Sequence, residues 1–141
     1  MTWFEYPVRV QPHHTDYGGV VWHGTYVTWL ESARVECLRA AGVPFDQIVA
    51  LGYDLPVVEL ALRYRQPLTL GMQAIVKTRL APIEGVRMNW QYEIETCAPE
   101  SQRCLTGTVT LVTVNMNTRK VVRRLPPDVK DVLAKLEAYF A

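Results

Sequence analysis

The twelve residues His13-His14-Thr15-Asp16-Tyr17-Gly18-Gly19-Val20-Val21-Trp22-His23-Gly24 hold all three histidines of the chain, one carboxylate and three glycines. These types at this spacing allow three chemistries. In the first, Asp16 attacks a carbonyl or deprotonates water while nearby N–H groups hold the developing oxyanion. The donors would be His23 and Gly24 if a helix begins there, because the first N–H groups of a helix lack partners and carry the positive end of its dipole. Gly18 and Gly19 permit a sharp turn and the close approach of a ligand. In the second, His13, His14, Asp16 and His23 supply metal ligands. Neighbouring residues at a strand end point in opposite directions, and the spacing fits no zinc motif. In the third, Asp16 only braces a turn, a frequent use of aspartate. The residues alone leave the catalytic and bracing roles both open. A Ser-His-Asp triad lacks its GxSxG element, and no glycine-rich phosphate loop is present.

Positioning this segment requires regular elements on either side. Residues 6–12 alternate as a short strand does, and residues 25–42 read as a helix capped by Thr25 and stopped by Gly42 and Pro44. Tyr26, Trp29, Leu30, Ala33, Cys37, Ala40 and Ala41 share one face. Glu31, Arg34, Glu36 and Arg39 lie largely elsewhere, which predicts a helix covered by a sheet. Glu31 has Arg34 one turn on as an ion-pair partner, which favours a structural role over that of a second catalytic carboxylate. Four strands then follow at residues 55–64, 72–80, 86–96 and 104–115, joined by turns. The third is the cleanest, with Val86, Met88, Trp90, Tyr92 and Ile94 on one face and charged or amide residues on the other. A closing amphipathic helix over residues 126–140 has proline in its first turn. One helix against a curled antiparallel sheet is an α+β arrangement, and its open sheet edge makes dimerisation plausible.

The chain of 141 residues fits one domain spanning 1–141, and 49% hydrophobic with 21% charged residues is a globular composition. A formal charge of +1 gives no electrostatic case for nucleic acid as a partner. The three cysteines form no CxxC pair and are read as reduced thiols of a cytoplasmic protein. The first residues do not resemble a signal peptide. No apolar run approaches the ~20 residues of a membrane span, so no integral membrane segment is expected.

The pattern Asp16, Gly19, Val20, Val21 and Trp22, followed by Tyr26, Trp29, Glu31, Ala33, Arg34, Leu38 and Gly42, resembles the opening of the hotdog-fold acyl-CoA thioesterases. The branch it resembles is that of 4-hydroxybenzoyl-CoA thioesterase and the Tol–Pal-associated thioesterases. Tyr64, Pro67 and Gly71 are similar to that family's second strand and turn. The resemblance implies a hotdog fold, a long central helix wrapped by a curled antiparallel sheet of about five strands. It implies an acyl-CoA substrate bound across a subunit interface of a dimer or tetramer, with no metal and no cofactor. At matching positions it makes Asp16 the catalytic nucleophile or general base. It makes His23 the residue whose N–H binds the thioester carbonyl, with its imidazole also linked to activity. Tyr17, Gly19, Val20, Trp22 and Gly24 are the expected substrate contacts. Arg87, Arg119 and Lys120 are the expected grips on the CoA phosphates, although such charges also protect sheet edges. Two positions depart from the pattern: Thr15 stands where many relatives carry Asp, and Met72 follows Gly71 where many carry Gly-Asp. The alternatives are a hotdog hydratase or dehydratase using a histidine with a carboxylate, and a non-catalytic acyl-CoA-binding protein.

Overall fold

The computed structural model describes residues 2–97 and 99–141. Strand β1 (Phe4–Arg9) leads through a 3-10 turn (Pro12–His14) and the glycine loop into helix α1 (His23–Ala40). A short helix α2 (Phe45–Ala50) and strand β2 (Tyr53–Asp54) follow. The long strands are β3 (Val57–Tyr64), β4 (Gln73–Leu80), β5 (Arg87–Thr96) and β6 (Arg103–Val112). Strands β7 (Val114–Asn115) and β8 (Lys120–Val121) and helix α3 (Pro127–Tyr139) complete the chain. The main sheet has five strands in the order β1-β4-β5-β6-β3, and every neighbouring pair is antiparallel.

The core forms where the two periodicities meet. On β5 the period of two buries Met88, Trp90, Tyr92 and Ile94, as their alternation predicts. On α1 the spacing of three and four buries Tyr26, Trp29, Leu30, Ala33 and Cys37. Gly42 ends α1 with a φ of 80°, a conformation glycine adopts without strain.

Several expectations need correction. Strand β1 starts at Phe4 and stops at Arg9, because beyond it Met72 N–H turns to Thr69 O at 3.1 Å and Val10 O accepts from Gly71 N–H at 3.0 Å instead. Helix α1 begins at His23, two residues early, and Thr25 is not its cap. Trp22 holds the cap position with extended backbone, and the Thr25 hydroxyl reaches out to His14 O at 3.0 Å. Arg34 is buried, since its Nη1 donates to the Tyr92 hydroxyl at 3.0 Å. Helix α2 and a second sheet, β2-β7-β8, were not expected; two-residue strands carry no periodicity to read. The apolar residues of β3 are not covered: Val57, Val58, Leu60 and Tyr64 are 44–50% exposed along the sheet edge. Among the described residues no helix is long and apolar enough to cross a membrane.

Candidate active site

The loop before α1 is a tight hairpin. Thr15 pairs with Val21, Asp16 N–H donates to Val20 O at 2.9 Å, and Gly19 N–H donates to Asp16 O at 3.1 Å. Gly19 has a φ of 77°, which a residue with a Cβ adopts only with strain. The hairpin is fixed to the β3–β4 connection, where Val21 N–H meets Leu68 O at 2.8 Å and Val20 bridges Thr69. In that connection Met72 Sδ, at the position where the family pattern has a turn carboxylate, accepts the Thr69 hydroxyl at 3.0 Å.

His14 is the peg beneath this loop, a role its sequence did not show. Its carbonyl accepts both Trp22 N–H at 2.9 Å and the Thr25 hydroxyl at 3.0 Å, tying the loop to the helix start. Its Nδ1 accepts Gln11 N–H at 2.9 Å, and its ring stands edge-on to Trp29 at 5.1 Å. Burial, and then the charge of adjacent His13, holds its pKa below the ordinary histidine value.

Asp16 is exposed, and its Oδ1 accepts Gly18 N–H at 2.8 Å. It therefore does brace the turn. The brace orients the carboxylate and leaves Oδ2 without a hydrogen bond to the described residues. Past the other arm of the hairpin, the N–H groups of His23 and Gly24 have no acceptor among the described residues, while Thr25 N–H turns back to Trp22 O at 2.9 Å. Held carboxylate and free helix donors thus lie on one small, anchored unit. The Tyr64 hydroxyl donates to His23 O at 3.0 Å, and its ring packs on Tyr26 at 5.4 Å, so the end of β3 pins the first helical turn.

Gly24 is also constrained by packing. The Trp22 indole folds over it, and a Cβ there would lie 2.8 Å from Cε3 and closer still to the rest of that ring. Trp22 also borders a 520 Å³ cavity with His14, Thr25 and Trp29 beside the helix start. Tyr17 is fully exposed on the hairpin. Gly19 and Val20 shape the hairpin and contribute nothing to the 520 Å³ cavity beside it.

The three expected phosphate-gripping residues are not brought to Asp16 within one protomer. Arg87 pairs with Val112, whereas the glycine loop docks near the strand ends marked by Met72, Gln73 and Leu105. Between Leu105 and Val112 the ladder spans ~23 Å. Arg119 and Lys120 lie at the β7–β8 turn, beyond the Val112 end of β6. The buried thiols are poor nucleophiles, since burial pushes Cys37 up to about 12 and raises Cys104 as well.

The family model for the thioesterase-like superfamily matches residues 10–135. A provisionally named esterase of Synechocystis is 57% identical over 134 residues, covering 95% of this chain and 80% of that one. The acyl-CoA thioester hydrolase YbgC of Escherichia coli is 32% identical over 87 residues, covering 62% of this chain and 65% of its own. Among solved structures, a DHNA-CoA thioesterase of Staphylococcus aureus superposes with a TM-score of 0.86 at 26% identity, covering 99% of this chain and 94% of that one. The one long helix against a five-stranded antiparallel sheet is accordingly the hotdog fold, and the chain belongs to the thioesterase-like superfamily.

Proposed function

We propose that this chain hydrolyses acyl-CoA thioesters, in the branch of 4-hydroxybenzoyl-CoA and Tol–Pal-associated thioesterases. The observation that carries the reading is the anchored unit of Asp16 and the acceptor-free N–H groups of His23 and Gly24. The thioester carbonyl oxygen accepts from His23 N–H, which stabilises the negative charge that forms on it. Asp16 attacks the carbonyl carbon, or takes a proton from a water that does so, and the C–S bond breaks to release CoA thiolate. After direct attack, a water then hydrolyses the acyl-aspartyl anhydride, which frees the acid and restores the Asp16 carboxylate. Thiolate is a good leaving group, so the step needs no dedicated general acid, no metal and no redox cofactor. Tyr17 and Trp22 flank the hairpin where the substrate enters.

The active form we propose is a homo-oligomer built on a cytoplasmic dimer. Strand β3 ends the sheet with Val57, Val58, Leu60 and Tyr64 half-exposed, and an uncovered apolar edge invites pairing. Antiparallel pairing of two β3 strands sets the Val57 end of one beside the Tyr64 end of the other. The end of the sheet that carries Arg87, Arg119 and Lys120 then approaches the Asp16 hairpin of the second copy. This arrangement reconciles their distance within the protomer with a role in holding CoA phosphates. Thiol release from a panel of aromatic and aliphatic acyl-CoAs tests the reading. Turnover of at least one class is expected, whereas binding without thiol release would make this an acyl-CoA-binding protein.

A further inference from the structure

Two cavities adjoin between α1 and β3. One, of 200 Å³, begins at Val27, a single turn past His23, and has Leu60 of β3 on its far wall. The other, of 340 Å³, continues to Leu38 and Phe45. Glu31, Arg34 and Val57 border both, so the pair forms one passage along the helix. Its walls are otherwise mainly aliphatic and aromatic, with Asp54 the other charged residue among those that border it.

Arg34 is only 8% exposed, yet its guanidinium is poorly supplied with partners. Nη1 donates to the Tyr92 hydroxyl at 3.0 Å, while Nη2 stands 4.0 Å from Glu31 Oε1, too far for a hydrogen bond. A guanidinium has five N–H donors. No Arg34 nitrogen is among the fully buried atoms without a partner, so the donors that Tyr92 leaves free face the passage that Arg34 borders. Burial raises the Tyr92 pKa, so that hydroxyl stays neutral and cannot balance the charge.

We infer that this passage receives the acyl group and that Arg34 and Glu31 together bind a hydroxyl on it, a specificity that rests on the thioesterase reading above. The hydroxyl oxygen accepts from Arg34 while its proton goes to the Glu31 carboxylate. The two side chains sit about 12 to 16 Å along the helix from His23, which places the hydroxyl far down an aliphatic chain. A terminal carboxylate suits the place less well, because Glu31 and Asp54 already outnumber Arg34 in charge.

The test uses CoA thioesters of straight-chain acids of increasing length, each with a methyl, hydroxyl or carboxylate terminus. At the length that reaches Arg34, and not at shorter ones, the hydroxyl form is expected to exceed the methyl form by about 10- to 100-fold in kcat/KM. Arg34→Met should abolish that ratio, and Glu31→Gln, an exposed position that tolerates change, should reduce it. A methyl form that is best at every length, or a ratio equal in wild type and both variants, overturns the inference. If no thioester is cleaved, the catalytic reading fails by itself, and calorimetry with the free hydroxy and plain fatty acids still reads the passage. Tighter binding of the hydroxy acid that Arg34→Met removes supports the inference, and equal binding overturns it.

Discussion

Replacing Gly24 with alanine sets two effects of known size against each other. Alanine is favoured over glycine inside a helix by about 0.5–1 kcal/mol. The added methyl collides with the Trp22 indole, which must swing away. Trp22 is 51% exposed, so about half of its surface is in contact. A tryptophan buries up to 150–250 Å², so losing half of that, at about 25 cal/mol per Å², costs ~2–3 kcal/mol. The net expectation is a loss of about 1–2 kcal/mol, a fall in Tm of roughly 3–8 °C. Trp22 also leaves the mouth of the helix, and displacement of a substrate-positioning group predicts a drop in kcat/KM of about 10- to 100-fold. Thermal unfolding by circular dichroism, tryptophan fluorescence and steady-state thiol release read the three consequences. A cycle with Trp22→Ala isolates the contact: once the indole is gone, Gly24→Ala should stabilise by about 0.5–1 kcal/mol. A single Gly24→Ala protein that is more stable than wild type and equally active refutes the reasoning.

Three other perturbations have defined outcomes. The pKa of His14 is lowered in the folded chain, so the unfolded chain takes up the proton more readily. Stability is therefore full above the ordinary histidine value of 6.5 and declines as pH falls below it. His14→Asn offers Gln11 N–H an acceptor that does not titrate, and its Tm should vary less with pH over that window. Thr113 is fully buried with a hydroxyl that has no partner among the described residues. Thr113→Val should thus raise stability by about 1–2 kcal/mol in a urea titration with unchanged slope. Leu60→Asp places a charge on the exposed edge of β3; if the proposed β3-edge dimer forms, sedimentation velocity should show a dimer for wild type and a folded monomer for the variant.

What was legible in the residues was whatever a period or a turn encodes. The alternation of β5 and the apolar stripe of α1 came through because each buries one face against a single continuous core. The hairpin around Asp16 was visible through its paired glycines. The role of His14 was hidden because it is performed mainly by a backbone carbonyl, which no side chain advertises. Arg34 was placed among the solvated charges because spacing cannot reveal Tyr92, 58 positions away, as its partner. The distance of Arg87, Arg119 and Lys120 from Asp16 is a matter of strand register, which depends on long-range pairing. The edge of β3 shows the reverse case: a strand is there as expected, but the protomer supplies nothing to cover its apolar residues.

The central claim is that the Asp16 carboxylate performs the chemistry. Asp16→Asn keeps an oxygen to accept Gly18 N–H and so preserves the hairpin, while it removes the charge proposed to attack the thioester or to activate water. The most direct measurement is the single-turnover rate of CoA release by wild type and by Asp16→Asn, with matched circular dichroism spectra. Loss of a nucleophile or general base predicts a fall of at least about 100-fold with little change in acyl-CoA affinity. A variant that releases CoA at the wild-type rate would contradict the account.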